Sequence, residues 1–212
     1  MPHRLDPSRI AGLILAGGQS RRMGGGDKCL LSLGGRPILA RIIERIRPQL
    51  GPLVLNANGD PARFAQFGLP VVADAVPDYA GPLAGVLTGM MWTRENAPQC
   101  DWIVTAAGDA PFVPADLVEL MLDAVHGTVA DMAVAASGGR DHPVFGLWPV
   151  RLAEELRTAL IDEGVRKVDM WTDRYRVVRA DWPDVPVDPF FNLNTPEDFA
   201  RAEALIAGGA AA

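Results

Sequence analysis

The stretch LILAGGQSRRMGGGDKCLL, residues 13–31, starts with apolar residues and then changes abruptly to glycine, arginine and lysine. Its start belongs to a short apolar run, Ile10–Ala16, which predicts a buried β-strand. Five glycines and three cations, Arg21, Arg22 and Lys28, follow within a dozen residues. Glycine lets backbone N–H groups approach phosphate oxygens, and arginine and lysine neutralise phosphate charge. The stretch therefore predicts a strand that runs into an anion-binding loop, with a solvated surface loop as the alternative.

Strand-like and helix-like segments alternate along the remainder of the chain. Further strands are predicted at 52–58, 69–74, 101–112, 131–137, 142–149 and 175–181. Helices are predicted at 37–50, 81–94, 114–125, 150–162 and 194–208, the last with Asn194 or Thr195 as N-cap and Pro196 in its first turn. This alternation predicts a parallel sheet with helices on both faces. We therefore expect a single domain with a doubly wound, mostly parallel α/β fold.

The composition of the chain excludes several classes of protein. With 212 residues, 49% of them hydrophobic and 22% charged, it has the balance of a soluble globular domain. A net charge of -6 disfavours a nucleic-acid partner, and no apolar run approaches the roughly 18 residues of a membrane helix. Residues 1–9 lack the apolar core of a signal peptide, and the two cysteines, Cys29 and Cys100, form no CxxC pair. We therefore expect a reduced, cytoplasmic protein with no membrane or nucleic-acid partner, and a monomer by default.

Glycine, amide or carboxylate groups follow the ends of the first four predicted strands. The glycine–arginine loop follows the first strand, NAN at 56–58 ends the second, Asp74 ends the third, and GDAP at 108–111 ends the fourth. Ligands of such sheets bind at the carboxyl ends of the strands, near the switch in strand order. Each of these residue types also favours turns, but four consecutive strand ends of this kind predict a binding rim.

The residues of this rim suit the magnesium complex of a nucleoside triphosphate. The loop contains neither GxxxxGK[ST] nor a tight GxGxxG, so it is neither of the two common phosphate-binding loops. Asp109, in GDAPF at 108–112, lies where its strand should end. A carboxylate there can hold Mg²⁺ while phosphates and waters supply the other ligands, and a turn cap is its alternative role. The chain shows no Ser–His–Asp or Cys–His pattern of a nucleophilic enzyme.

These motifs together carry a family resemblance. LAGGQSRRMGGGDK at 15–28 resembles the signature of the glycosyltransferase-A-like nucleotidyltransferases, and more narrowly that of the molybdenum cofactor guanylyltransferase family. Further matches follow in order along nearly the whole chain: NAN at 56–58, Asp74, YAGPLAGVL at 79–87, GDAPF at 108–112, HPVFGLW at 142–148 and NLNTPEDF at 192–199. The resemblance implies the Rossmann-like fold of the nucleotide-diphospho-sugar transferases. It also implies transfer of GMP from GTP to molybdopterin, with or without its molybdenum, and release of pyrophosphate.

The resemblance also implies which residues form the site. Residues expected to contact the nucleotide, its phosphates or the acceptor are Leu15, Ala16, Gly17, Gly18, Lys28, Asn56, Asp74, Asp109, Asn192 and Asn194. Catalytic contributions are expected from Arg22, Lys28 and Asp109, and Asp109 is also the expected Mg²⁺ ligand. Asn192 and Asn194 match asparagines near the acceptor. Ala110 replaces a threonine that is common in this motif, which removes no charge and no ligand.

The resemblance implies two functional halves and further partners. We expect a nucleotide-binding half at about 8–112, an acceptor-binding half at about 113–206 and a frayed tail at 207–212. A molybdenum-insertion protein, molybdoenzyme chaperones and recipient molybdoenzymes are the implied protein partners. Weaker candidates for the acceptor side are Arg166, Lys167, His142 and Trp148. Their alternatives are a solvated loop at 163–171 for the two cations, a structural role for His142, and core packing for Trp148 together with Trp171.

Two other functions stay open at the level of sequence. A cytidylyltransferase acting on molybdopterin or on another small phosphate acceptor would share the scaffold, and the choice of guanine rests on the resemblance alone. A nucleotide or cofactor carrier without catalysis is an alternative of another class. The presence of Lys28 and Asp109 argues against that carrier.

Overall fold

The computed structural model describes residues 6–17, 27–76 and 81–209. The strands in this part of the chain are β1 Ile10–Leu15, β2 Ser32–Leu33, β3 Arg36–Pro37, β4 Leu53–Asn56, β5 Val71–Val72, β6 Trp102–Ala107, β7 Met132–Ser137, β8 Arg140–Pro149 and β9 Val177–Trp182. The α-helices are α1 Ile38–Ile46, α2 Pro82–Asn96, α3 Leu117–His126, α4 Ala153–Ile161, α5 Val168–Thr172 and α6 Pro196–Ala207. Within these three ranges, no helix has the length and apolar character needed to span a membrane.

Seven of the strands form one sheet in the order β5-β4-β1-β6-β8-β7-β9, and β2 pairs separately with β3. β1 is parallel to both of its neighbours, and the pairs β4–β5 and β7–β9 are parallel as well. Only β8 of this sheet is antiparallel to its neighbours, β6 and β7. The prediction of a single-domain, mostly parallel α/β sheet is confirmed. The strand order reverses between β1 and β6, where sheets of this kind bind their ligands.

The direction of β8 follows from the glycine pair Gly138–Gly139, at which no turn was predicted. The two residues have φ values of 54° and 77°. Positive φ at both central residues is what a two-residue type I′ hairpin turn requires. This turn joins β7 to β8 directly, so the two strands are antiparallel and no helix lies between them. The strand predicted at 142–149 therefore starts earlier, at Arg140.

Alternating side chains of β1 contribute to the core on both faces of the sheet. Ile10 and Ile14 belong to one buried cluster, and Ala11 and Leu13 belong to another. Residues of α1, α3 and α6 complete the first cluster, and residues of α2, α4 and α5 complete the second. A strand that is buried on both faces has a continuous apolar sequence, which explains why Ile10–Ala16 could be identified.

α2 lies close to the strands that carry the binding rim, and two interior glycines permit this approach. A Cβ atom at Gly85 would lie 2.5 Å from Asn56 Oδ1, and one at Gly89 would lie 2.6 Å from Leu13 Cδ2. Glycine costs a helix interior about 1 kcal/mol relative to alanine. The helix tolerates this cost because a side chain at either position would push it away from the sheet.

The ends of the helices differ from the predicted ends by a few residues, and one helix was missed. α6 begins with the expected Thr195 cap and Pro196, and Thr195 and Asp198 form a capping box. The segment 163–171, for which a solvated loop was the structural alternative, instead contains most of α5. Trp171 of this helix is fully buried, so tertiary packing stabilises a segment too short to show helical periodicity.

Candidate active site

Three loops leave the carboxyl edge of the sheet side by side. Ala16 N–H donates to the carbonyl of Asn56, and Gly108 N–H donates to the carbonyl of Leu15, each over 2.9 Å. These two hydrogen bonds join the ends of β1, β4 and β6. A Cβ atom at Gly108 would lie 2.9 Å from Leu15 O and 3.1 Å from Ala16 Cα, so glycine is required for this close approach.

Lys28, Asp109 and Asn194 converge at this edge although they are far apart in the sequence. Lys28 Nζ donates to Asp109 Oδ2 and to Asn194 Oδ1, each over 2.8 Å. The side chains of Lys28 and Asp109 are 12% and 24% exposed. Leu193 N–H donates to the carbonyl of Asp109 over 3.0 Å, which holds the C-terminal segment against the loop after β6. Because an ammonium group has three N–H donors, Lys28 can also bind an anion while it keeps both partners.

Asp74, which follows β5, is held in place by two asparagines at the end of β4. Asn56 Nδ2 donates to Asp74 Oδ1 over 3.0 Å and to the carbonyl of Val72 over 3.2 Å. Asn58 Nδ2 donates to Asp74 Oδ2 over 2.8 Å, and Asn58 Oδ1 accepts from the Asp74 N–H over 2.9 Å. A carboxylate has about four lone-pair sites, so Asp74 keeps acceptor capacity for the N–H groups of a ligand. The structure thus brings these sequence-predicted residues together in a second, acceptor-rich part of the rim.

Arg63, which was not a candidate from sequence, connects Asp27 with the loop after β4. It lies in the 3₁₀-helix Pro61–Phe67, and its Nε is 2.5 Å from the carboxylate of Asp27, the residue before Lys28. Its two terminal nitrogens donate to the carbonyls of Asp60 and Asn58. A sequence signal existed only for the helix itself, because an aspartate before a proline is a typical helix start. Nothing in the sequence indicates the contact with Asp27.

A second polar cluster lies at the same edge of the sheet, beyond β6. Ser137 Oγ is 2.7 Å from His142 Nε2 and donates to Asp188 Oδ1 over 2.8 Å. Burial lowers the pKa of His142, although the Asp188 carboxylate opposes that shift. Of these three residues only His142 was a candidate from sequence. The glycine pair after Ser137 was the signal that would have placed Ser137 and His142 together.

The remaining residues that the sequence predicted for the site do not form a cluster of their own within the described residues. Gly18 and Arg22 lie outside the described residues. Arg166 Nη1 donates to the carbonyls of Leu160 and Val165, each over 3.0 Å, at the end of α4, and Lys167 precedes α5. Trp148 and Trp171 are buried, with ring centroids 5.8 Å apart, so the core-packing alternative holds for both. Gly17 and Asn192 are both exposed at the rim, beside the buried residues Ala16 and Leu193.

The donor groups of the rim fit a divalent metal ion that shares its ligands with phosphate. Within 6–17, 27–76 and 81–209, no group of three or more His, Cys, Asp or Glu side chains could hold a metal. Asp109 can therefore supply one carboxylate, and waters and phosphates would supply the other ligands, which is the usual mode for Mg²⁺. A cavity of about 420 Å³ beside the rim is lined by Phe112, Asp116 and Trp182 but by neither Lys28 nor Asp109.

The fold and the rim together define the class of this protein. A mostly parallel sheet with a lysine–carboxylate pair and a fixed carboxylate around its switch point is the arrangement of a nucleotidyltransferase. Residues 12–177 match the model of the MobA-like NTP transferase domain, and the chain belongs to this family.

Individual relatives agree with this assignment. The molybdenum cofactor guanylyltransferase of Bradyrhizobium sp. (strain ORS 278) is 56% identical over 198 residues, which cover 93% of either chain. The molybdopterin-guanine dinucleotide biosynthesis protein A of Archaeoglobus fulgidus has a TM-score of 0.72 at 24% identity and covers 93% of this chain and 99% of its own. Rv0371c of Mycobacterium tuberculosis, solved in complex with manganese, has a TM-score of 0.65 at 20% identity, covering 92% and 98%. The two structures confirm the predicted fold.

Proposed function

We propose that this protein transfers GMP from GTP to molybdopterin, releases pyrophosphate and forms the molybdopterin guanine dinucleotide cofactor. The observation that carries the proposal is the convergence of Lys28, Asp109 and Asn194 at the switch point of the sheet. The guanylyltransferase of Bradyrhizobium, 56% identical over 93% of both chains, supports the choice of GTP and of the acceptor.

The residues of the rim suit a reaction that needs positioning and charge neutralisation more than covalent chemistry. Nucleotidyl transfer requires the attacking and leaving oxygens to lie in line and requires compensation of the charge that develops on pyrophosphate. Lys28 supplies one such charge from a position fixed by Asp109 and Asn194. We assign the same role to Arg22, on the strength of its position in the glycine loop. The acceptor's phosphate monoester is already anionic near neutral pH, so the enzyme needs no general base.

Asp109 would hold a divalent ion, for which we propose Mg²⁺. The ion would supply Lewis-acid neutralisation of the triphosphate, and the protein contributes one carboxylate on a strand end that Gly108 and Leu193 fix. On the other side of the switch point, Asp74 presents acceptor oxygens that Asn56 and Asn58 orient. We propose that these three residues bind the nucleoside part of GTP, because guanine presents N–H donors at N1 and N2.

The proposal is tested by pyrophosphate release from GTP, Mg²⁺ and molybdopterin. We expect Asp109→Asn to reduce the rate by at least about 10²-fold, as loss of a transition-state charge partner typically does. Asp101→Asn is the matched control, because Asp101 flanks the other end of β6 and also forms an ion pair, with Arg9 at 3.1 Å. This control should stay within about two-fold of the wild type, since surface ion pairs contribute little.

Two outcomes would contradict the proposal. A wild-type protein that binds GTP but releases no pyrophosphate with the acceptor would support a nucleotide or cofactor carrier. Thermal stabilisation by CTP that exceeds the stabilisation by GTP, at the same Mg²⁺ concentration, would support a cytidylyltransferase.

A further inference from the structure

The hairpin between β7 and β8 brings two polar side chains to the active-site edge of the sheet. The register pairs Ala135 with His142 and Ser137 with Arg140 across the Gly138–Gly139 turn. Ser137 lies two residues after Ala135 and therefore on the same face, so its side chain is a diagonal neighbour of His142. β7 has the same direction as β6, because both are antiparallel to β8, and its last residue, Ser137, lies at the same edge as the loop with Asp109.

The hydrogen bonds of this cluster have only one consistent direction. A carboxylate accepts hydrogen bonds and does not donate them, so the Ser137 hydroxyl donates to Asp188 Oδ1 over 2.8 Å. The hydroxyl oxygen must then accept from His142 Nε2–H over 2.7 Å. The same Asp188 oxygen accepts from Phe190 N–H over 3.0 Å. Since Ser137 is only 2% exposed, removing a partner would leave a buried polar group unsatisfied.

This order of donors differs from that of a nucleophilic triad. In such a triad the serine donates to histidine, and histidine donates to the carboxylate. Here the serine lies between the other two residues and donates to Asp188. Ser137 is also too buried to attack a substrate. The cluster therefore has the geometry of a structural anchor and not of a nucleophile. Its effect on the active site depends on the segment of chain that Asp188 fixes.

Asp188 is the first residue of the segment 188–195. The last part of this segment contacts Lys28 and Asp109. Next along the segment, the ring of Phe190 packs between His142 and Phe145, with centroid distances of 4.8 Å to each. Further on, Leu193 N–H bonds to the carbonyl of Asp109, and Asn194 accepts from Lys28 Nζ.

The downstream end of the segment is held separately. The Asp198 carboxylate at the start of α6 accepts from the N–H groups of Asn194 and Thr195. The segment is thus fixed at its start by the serine–histidine–aspartate cluster and at its end by the capping box. Asn192 and Asn194 lie between these two anchors.

The sheet order indicates which substrate this segment faces. Asn56 and Asp74, which we assign to the nucleoside, lie on the β4–β5 side of β1, whereas Ser137, His142 and Asp188 lie on the β8–β7–β9 side of β6. If the reaction takes place at Asp109 and the nucleoside occupies the β4–β5 side, the acceptor occupies the β8–β7–β9 side.

We propose that Ser137, His142 and Asp188 are positioning residues for the acceptor, acting through the segment 188–195 that they anchor. This proposal rests on the proposed function for the identity of the acceptor.

The test of this proposal compares variants of one hydrogen-bond chain. Ser137→Ala removes the bridge and His142→Leu removes the donor, whereas His142→Gln can retain an N–H donor and Asp188→Asn can retain an acceptor.

We expect Ser137→Ala and His142→Leu to raise the KM for molybdopterin about ten-fold, the effect of losing one hydrogen bond of ordinary strength. The KM for GTP should stay unchanged, and His142→Gln and Asp188→Asn should lie close to the wild type. Simple loss of folded protein would lower kcat and leave both KM values unchanged. That result, or equal increases of the two KM values, would overturn the proposal.

A second measurement separates this proposal from the proposed function. If the wild type transfers GMP but Ser137→Ala leaves the acceptor KM unchanged, only the positioning role is wrong. If the wild type transfers nothing, amide hydrogen exchange still decides the anchoring. Ser137→Ala should then speed exchange at Phe190 and Leu193 about ten-fold relative to Gly108, whose N–H bonds to Leu15. Unchanged exchange at Phe190 would overturn the anchoring.

Discussion

A single methyl group added to α2 should weaken GTP binding without contacting the nucleotide. In Gly85→Ala the new Cβ would lie 2.5 Å from Asn56 Oδ1 and would also overlap Leu15 Cδ2. Asn56 is 5% exposed and therefore has little space into which its amide can retreat. Any shift of the amide lengthens the 3.0 Å hydrogen bond from Asn56 Nδ2 to Asp74. Both of these residues belong to the part of the rim that we assign to the nucleoside.

The magnitudes predict that binding is affected more than folding. Overpacking costs about 1–3 kcal/mol, and replacing an interior helical glycine by alanine returns about 1 kcal/mol. The net loss of stability is then about 0–2 kcal/mol, or a decrease in Tm of at most about 8 °C for a chain of this size. Loss of a hydrogen bond to a charged group corresponds to about 1.5–3 kcal/mol. If Asp74 must be oriented to bind GTP, the Kd for GTP rises about 10- to 150-fold.

Gly89→Ala is the matched control for this experiment. Gly89 lies one turn further along α2, and the three atoms nearest to its added Cβ all belong to the Leu13 side chain, the nearest at 2.6 Å. Both variants therefore gain helix propensity and lose packing, but only Gly85→Ala disturbs Asn56. Calorimetric titration with GTP and thermal unfolding of both variants would separate the two effects. If Gly89→Ala weakens GTP binding as much as Gly85→Ala, or if neither weakens it, the assignment of Asn56 and Asp74 to the nucleotide is wrong.

Two further predictions concern residues near the rim. Arg63→Lys keeps the charge, but a lysine cannot reach Asp27 and the Asn58 carbonyl together. We therefore expect the Kd for GTP to rise about three- to ten-fold in the same titration. An unchanged Kd would refute a positioning role for Arg63. Burial raises the pKa of the Cys29 thiol to about 12 and also raises that of Cys100. At about pH 8 only about one Cys29 in ten thousand is a thiolate. We therefore expect iodoacetamide to modify Cys29 only after unfolding in urea, as measured by mass spectrometry. Rapid modification of Cys29 in the native protein would contradict this prediction.

The sequence allowed the rim to be predicted because the rule that places it is general. Carboxyl ends of parallel strands share one edge, so Asn56, Asp74 and Asp109 could be expected near each other once their strands were identified. The apolar run Ile10–Ala16 identified the central strand, because a strand buried on both faces has no polar positions. Which side chains would form hydrogen bonds could not be predicted in this way.

The contacts that were missed depend on how separate segments are arranged in three dimensions. Lys28 and Asn194 are separated by 166 positions, and only the folded structure shows that they form a hydrogen bond. Arg63 lies in a short 3₁₀-helix, and the sequence pattern does not indicate where its side chain points. The role of Ser137 depends on the hairpin, which Gly138–Gly139 predicts only when the pair is interpreted as a type I′ turn.

The antiparallel strand explains why the two halves of the rim are built differently. On the β4–β5 side the chain crosses over through helices, and α2 approaches β1 closely enough for Gly85 to contact Asn56. Between β7 and β8 there is no crossover, so the edge there is formed by a hairpin tip and by the segment after β9. The segment after β9 is held at its start by Ser137 through Asp188 and at its end by α6, whose Asp198 accepts from Thr195 N–H and whose Arg201 lies over the ring of Phe191. The side of the rim that we assign to the acceptor therefore consists of a hairpin tip and a segment anchored at both ends, whereas the side that we assign to the nucleoside consists of strand ends against which α2 packs.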